Sequence, residues 1–346
     1  MQIYLAAGSR SIGLLHVSCA NHVDEREVIL KRRTAKFLRR VREFFSDAAE
    51  KNLFLSGPMA AMTVRAMHQI SSLSDVEFRV YSQWGEDGVI DWLVERLKVP
   101  VHVFVEFGVN NYIESNTRFL LANRNWRGLV MDGDSRNIET IRSSKDYWKY
   151  DLTAKCAFID RDNVNDLIAS SFRGEIGILS IDIDGNDYWV LEKIDVVSFI
   201  ILICEFNSIF GDVCPVSVPY DPVFHRPRVH HSHLFWGASL AAFRTLTEKK
   251  GYVQVGTTAG VNVFFVRKDY ADRLSGAIDN REGFPSPIRD SKSASGEKTY
   301  LAGLDRVKEI AHMTVVNVET GGSVPLGALD PIYSELWMRE LCAASV

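Results

Sequence analysis

No apolar run in this sequence approaches the roughly 20 residues that a membrane-spanning helix needs, so no membrane span is expected. No CxxC pair occurs either. The five cysteines, Cys19, Cys156, Cys204, Cys214 and Cys342, are scattered and odd in number. Cys156 and Cys204 lie inside apolar runs, which reads as reduced core thiols rather than a zinc site or a disulfide framework. A net charge of −4 lacks the strong positive field of a general nucleic-acid binder, so no nucleic-acid partner is expected. The first 20 residues carry Arg10 inside their apolar part and no basic n-region, which speaks against a signal peptide and for a cytoplasmic protein. A glycine-rich phosphate loop is also missing, and that absence decides more than the others.

The place to look for such a loop is residues 101–134, VHVFVEFGVNNYIESNTRFLLANRNWRGLVMDGD. Val101 to Phe107 is too short for a helix and rich in β-branched and aromatic residues, so it reads as a buried parallel strand. Glu106 stands near its end and Gly108 just after it. Ser115 is placed to cap a helix over 115–122, and a second strand, Gly128 to Met131, ends at Asp132. Strand, glycine turn, helix, strand and acid make the first half of a nucleotide-binding βαβ unit, with the acid where a ribose diol is gripped. A GxGxxG cradle would need glycines where Asn110 and Ile113 stand. A pyrophosphate therefore has poor access, and an adenosine ligand without phosphates, S-adenosylmethionine, fits better. Glu106 would then hold the ammonium or a ribose hydroxyl. An ordinary α/β crossover with acids at its strand ends by chance is the alternative.

A chain of 346 residues, 46% hydrophobic, can bury one large core or two modest ones. Residues 1–75 read as an N-terminal extension with a basic amphipathic helix near 24–50. That helix suits packing on its own domain, with an anionic surface or an acidic partner as the alternative. A helical piece near 58–69 leads to YSQWGEDGVIDWLVERL, residues 81–97, whose entrance puts Gln83 or Glu86 near the cofactor half. Beyond Asp132, strands are expected at Ala157–Ile159 (ending at Asp160), Ile176–Ile181 (ending in Asp182-Ile-Asp184-Gly-Asn-Asp187) and Phe199–Cys204 (ending at Glu205). Helices separate them, so the sheet is parallel. Residues 207–235 break the rhythm with four prolines and His225, His230, His231 and His233, a long loop of the functional kind. After a helix over 237–250, Tyr252–Val255 and Asn262–Arg267 leave no room for a helix between them and must pair as an antiparallel hairpin. Residues 277–298 read as a linker or mobile loop, and the rest of 271–346 as a small appendage with a helix near 300–312 and a strand near 313–318.

Five parallel strands, a helix and a hairpin resemble the class I S-adenosylmethionine-dependent methyltransferases, with a Rossmann-like seven-stranded sheet over 76–270. More narrowly, YSQWGEDG, VFVEFGVN, GLVMDGD and ILSIDIDGNDYWVL resemble the FkbM-type family from about Tyr81 to Lys268. The chain departs from the family's glycine-rich first motif at Asn110 and Tyr112, and has Asp-Gly where many relatives carry Glu-Pro. The resemblance implies O-methylation of a hydroxyl on a sugar, polysaccharide or secondary metabolite. It implies that Glu106, Gly108 and Asn110 form the first cofactor motif, that Asp132 meets the ribose and Asp160 the adenine amino group, and that Asp182 faces the methyl donor.

Ligands collect at the carboxyl ends of the strands in such a sheet, so Asp182, Asp184, Asp187, Glu205 and Asn207 all fall near a methyl acceptor. Asp184, Asp182, Glu205 or a loop histidine such as His231 could serve as general base. The crowded carboxylates also suit a divalent cation. Equally, Asp184 and Asp187 suit helix capping, and the histidines suit an ordinary loop. A small-molecule or carbohydrate acceptor is the expected partner, with room for a homo-oligomer. A degenerate methyltransferase fold used for binding and a nicotinamide-dependent oxidoreductase are the competing functions; the missing phosphate loop and the terminal hairpin disfavour the second.

Overall fold

A computed structural model describes residue 52 and residues 55–343. The basic helix expected near 24–50 lies outside the described residues. Among the described residues, ten strands follow in chain order: β1 Val103–Phe107, β2 Arg127–Asp132, β3 Leu152–Cys156, β4 Gly174–Ile181, β5 Val197–Glu205, β6 Val216–Ser217, β7 Tyr252–Thr258, β8 Asn262–Arg267, β9 Thr314–Asn317 and β10 Ser323–Pro325. Seven form one sheet in the order β3-β2-β1-β4-β5-β8-β7. β1 to β5 pair in parallel, whereas β8 runs antiparallel to both β5 and β7. The expected hairpin is present at the sheet edge, with its second strand inserted between β5 and β7.

Alternation along the strands builds two apolar layers. Phe104, Val130, Ile178, Ile201, Ile203 and Phe264 face one layer, and Val105, Phe107, Leu129, Leu179, Leu202 and Phe265 the other. The helices Glu86–Leu97, Arg118–Arg124 and Ser135–Arg142 supply buried residues to the first layer. The helices Val164–Ala169, Asp187–Lys193 and Leu240–Lys249 supply the second. The connections thus change faces between β1 and β4. This is the switch point, where a crevice opens beyond the strand ends.

Three local expectations are corrected. The third strand is Leu152–Cys156, not Ala157–Ile159. It is an edge strand with only Leu152 and Ala154 buried, so it lacks a continuous apolar signal; the apolar residues after it line a cavity instead. The helix after β1 begins at Arg118 rather than at Ser115, because residues 115–117 are drawn onto Glu106. Residues 277–298 lack regular helix or strand but are packed down: Ser286 and Ser291 are buried, Trp337 Nε1 donates to Gly283 O at 2.8 Å and Arg306 donates to Ser286 O at 2.7 Å. A second sheet, β10-β9-β6, ties the C-terminal part to the long loop after β5, and all described residues from Leu55 onward belong to one compact unit.

Candidate functional site

β4 and β5 lie side by side in register, with Ile181 opposite Cys204, so the residues that follow, Asp182 and Glu205, meet at the sheet's carboxyl edge. Carboxylate oxygens of Asp182, Asp184 and Glu205 lie within 4.8 Å of one another. The Oε2 atom of Glu205 is enclosed and has no hydrogen-bond donor. Burial raises the ionisation of Asp182, reinforced by the charge of Asp184, to about 8. Burial, then the charges of Asp182 and Asp184, raise Glu205 well above the carboxylate range. Two acids this close, both raised by burial, ionise together only at high cost near neutral pH, and a proton shared in the hydrogen bond between them relieves the repulsion.

The loop after β4 holds its shape around Asp187. Its carboxylate accepts the N–H groups of Ile183 at 2.8 Å and Gly185 at 2.9 Å, while burial lifts its ionisation to about 6. That arrangement leaves Asp184 at φ +57 and open to solvent. Arg226, from the long loop after β5, reaches back over the pair. It donates to Asp184 Oδ1 at 2.7 Å and to Asp290 Oδ2 at 3.0 Å, and its guanidinium carbon stands 4.7 Å over the Trp236 ring.

Two cavities flank the carboxyl pair. The first, 170 Å³, is lined by Gly108, Asn110, Met131, Asp132, Gly133, Ala157, Phe158, Ile159, Asp182, Ile183, Asp184, Asn186 and Phe224. It contains three aspartates and no cationic side chain. Gly108 is required here: a Cβ on it would stand 1.5 Å from Asp182 O, and its φ is +74. Asp132 Oδ2 accepts the N–H of Asn110 at 2.9 Å, and Oδ1 accepts Asp134 N–H at 2.8 Å and Asn137 Nδ2 at 3.0 Å. The second cavity, 180 Å³, is bounded by Glu205, Asn207, Arg226, Trp84, Trp236, Asp290 and Arg306 among others. Arg306 is buried, donates to the carbonyls of Ser286 and Ile288, and keeps an Nε without an acceptor.

Several expected site residues serve other ends. Glu106 is buried with both oxygens already accepting, from Ser115 Oγ at 2.6 Å, Asn116 N at 2.9 Å, Thr117 N at 3.1 Å and the Thr117 hydroxyl. It anchors the 115–117 loop, and burial raises its ionisation despite those donors. Asp160 caps the turn before the helix Val164–Ala169, accepting from Asp162 N and Asn163 N at 2.8 Å each, and its neighbours Phe158 and Ile159 line the first cavity instead. Gln83 borders the second cavity, not the first, and donates to Glu114 at 3.2 Å. The acids next to it are structural. Glu86 accepts from Thr258 Oγ1 at 2.5 Å and Asn262 Nδ2 at 2.9 Å, pinning the motif to the terminal hairpin. Asp87 gathers the N–H groups of residues 80–82 at 2.7–2.8 Å. His231 borders neither cavity; it pairs with Glu309 at 3.1 Å. Arg226, Phe158, Trp236 and Asp290 are cavity-lining residues that sequence reasoning missed, whereas Phe224 stands out in the sequence as an aromatic of the long loop that follows Glu205.

No family model and no curated protein sequence matches the chain. Among solved structures it is similar to an O-methyltransferase from Bacillus cereus in complex with SAH, at 13% identity and a TM-score of 0.34, covering 64% of this chain and 91% of that one. It is also similar to a S-adenosylmethionine-dependent methyltransferase from Clostridium acetobutylicum ATCC 824, at 7% identity and 0.33, covering 53% and 90%. The CurJ carbon methyltransferase is a third, at 10% identity and 0.34, covering 63% and 69%. Identities and scores this low speak to no activity; the strand order and the two cavities are what this chain itself displays.

Proposed function

We propose that the chain is an S-adenosylmethionine-dependent methyltransferase of the FkbM type, acting on a hydroxyl of a sugar, polysaccharide or secondary metabolite. The carrying observation is the cavity at the switch point, whose lining holds three aspartates and no cationic side chain; Asp184 is met from outside by Arg226 and Asp182 shares a proton, so Asp132 is the one that keeps its charge. Such a lining repels the pyrophosphate of a dinucleotide and favours a nucleoside that bears positive charge. The residues fit that ligand: Asp132 for the ribose, Phe158 and Ile159 for the flat adenine, Asn110 and Gly108 for close backbone approach. The enclosed 170 Å³ is below the about 300 Å³ of ordinary ligand sites, so occupancy requires the Phe224 ring, packed on Gly185, to move aside.

Bound there, S-adenosylmethionine supplies an electrophilic methyl group on a sulfonium. The protein aligns and deprotonates. Trp84 and Trp236 line the second cavity; one face of Trp236 is covered by Arg226, so Trp84, the more exposed of the two, is the aromatic we assign to an acceptor sugar ring. The ionised member of the Asp182–Glu205 pair takes the acceptor's hydroxyl proton as the methyl moves, and Asp182 is the residue shared with the cofactor side. Arg226 neutralises Asp184, so a proton rather than a divalent cation balances the remaining pair.

Calorimetry tests the assignment. Asp132→Asn loses the charge and one of the two acceptor oxygens that hold Asn110, Asp134 and Asn137, so thermal unfolding of the variant is followed beside its affinity. S-adenosylmethionine affinity is expected to fall about ten- to a hundredfold, the equivalent of about 1.5–3 kcal/mol for a charge-assisted hydrogen bond. Unchanged affinity in the variant, or tighter binding of a nicotinamide dinucleotide than of S-adenosylmethionine by the wild type, sinks the proposal.

A further inference from the structure

Away from the two cavities, His230 and His231 follow the short helix Arg226–Val229, and Glu309 lies in the helix Gly303–Ile310. His231 Nε2 stands 3.1 Å from Glu309 Oε1, and one ligand atom each of His230, His231 and Glu309 lies within 4.8 Å of the other two. The His230 and His231 rings are 4.3 Å apart, and a third imidazole, His312, is centred 5.4 Å from His230. We infer that His230, His231 and Glu309 form a zinc site that fastens the long loop after β5 to the C-terminal helix Gly303–Ile310.

The chemistry of the donors fits. Imidazole nitrogen and carboxylate oxygen bind zinc at about 2.0–2.2 Å, and tetrahedral geometry then sets neighbouring donors about 3.3 Å apart. The His231–Glu309 separation is already close to that value. His230 needs a modest inward shift, and His312, whose ring is centred 5.4 Å from His230, stands outside the close group, so the fourth position is left to a solvent ligand. Ser232 Oγ lies 2.7 Å from His230 Nδ1 and can accept its proton, the kind of outer hydrogen bond that orients a metal-bound histidine through its other nitrogen. The longer contact from Ser232 N, 3.2 Å, gives way in that tautomer. An ion pair between His231 and Glu309 accounts for two of the three side chains; it gives no reason for a second imidazole, that of His230, packed against them. A cation held by all of them does. It also secures the loop from which Arg226 reaches Asp184.

The full chain, stripped by a chelator and dialysed, is titrated with zinc against a chromophoric indicator while thermal unfolding is followed in parallel. One zinc per chain and a rise in Tm of several degrees are expected. His231→Ala and Glu309→Gln should each weaken binding at least tenfold and remove most of that rise. The second substitution is nearly isosteric on a side chain one-third exposed, so it reports even if the first fails to fold. X-ray absorption of the zinc-loaded chain should show nitrogen and oxygen neighbours at about 2.0–2.1 Å. Absence of stoichiometric binding, indifference to both substitutions, or sulfur neighbours at about 2.3 Å overturns the site.

Discussion

Replacing Asp184 by asparagine separates a base from a bystander that tunes one. Asparagine tolerates the left-handed backbone at φ +57 and keeps the side chain's shape, so the loop is preserved while one charge is lost. Asp184 lies within 4.8 Å of the buried pair. Two unit charges at that distance, at an effective dielectric of about 20, interact by about 3.5 kcal/mol. Asp184 is 60% exposed and paired with Arg226 at 2.7 Å, so solvent and the guanidinium cancel most of this, leaving on the order of 1 kcal/mol. At about 1.36 kcal/mol per tenfold change in proton affinity, the rising limb of kcat against pH should move down by about half to one pH unit. Loss of the Asp184 charge lowers the ionisation of Asp182, and the freed Arg226 charge acts on Glu205 in the same direction. Methyl-transfer rates measured from pH 5.5 to 9.5 check this, with the plateau rate within a few-fold of wild type. A loss of about a hundredfold or more at every pH is the signature of a missing general base and would make Asp184, not the buried pair, the proton acceptor.

Gly108→Ala should cost about 2–5 kcal/mol, combining the left-handed conformation with overpacking at a packed backbone contact, and should abolish S-adenosylmethionine binding; a Tm within a degree or two of wild type would mean that β1 and β4 do not meet as closely as described. Thermal stability should fall between about pH 6.5 and 8. Asp182, raised to about 8, and Glu77, raised to about 7 mainly by burial, hold protons in the folded chain that the unfolded chain has already released, so stability is lost as pH climbs through their folded values; a Tm that rises over that interval contradicts the raised ionisations. Turnover at 25 °C should survive exhaustive chelation, since a shared proton balances the carboxyl pair, and loss of turnover restored specifically by magnesium would assign a cation to Asp182, Asp184 and Glu205 instead.

What the sequence by itself determined is what short stretches of chain encode. The runs that became β1, β2, β4 and β5 are apolar on both faces because both faces are covered, and the pattern alone marks them as parallel and central. The acids at their ends, Asp132, Asp182 and Glu205, could be placed at one edge of a sheet because every parallel strand ends on the same side. The lack of space for a helix between the runs Tyr252–Val255 and Asn262–Arg267 was enough to demand a hairpin, which the structure extends to Thr258. Tertiary structure decided the rest. The edge strand β3 buries only alternate residues, so its local signal is no stronger than that of the cavity wall beside it. Glu106 and Asp132 look alike as acids at strand tips. Both accept hydrogen bonds on both oxygens; only folding reveals that Glu106 does so buried beneath the 115–117 loop, whereas Asp132 lines a cavity. Arg226 meets Asp184 across 42 residues, and Glu86 meets Asn262 across 176. His231, grouped by sequence with the catalytic candidates, belongs to Glu309 on a helix from the C-terminal part. Hydrophobic alternation is a property of neighbouring residues and survives in the sequence; the partner of a charged side chain is set by which distant segments the packed core brings together.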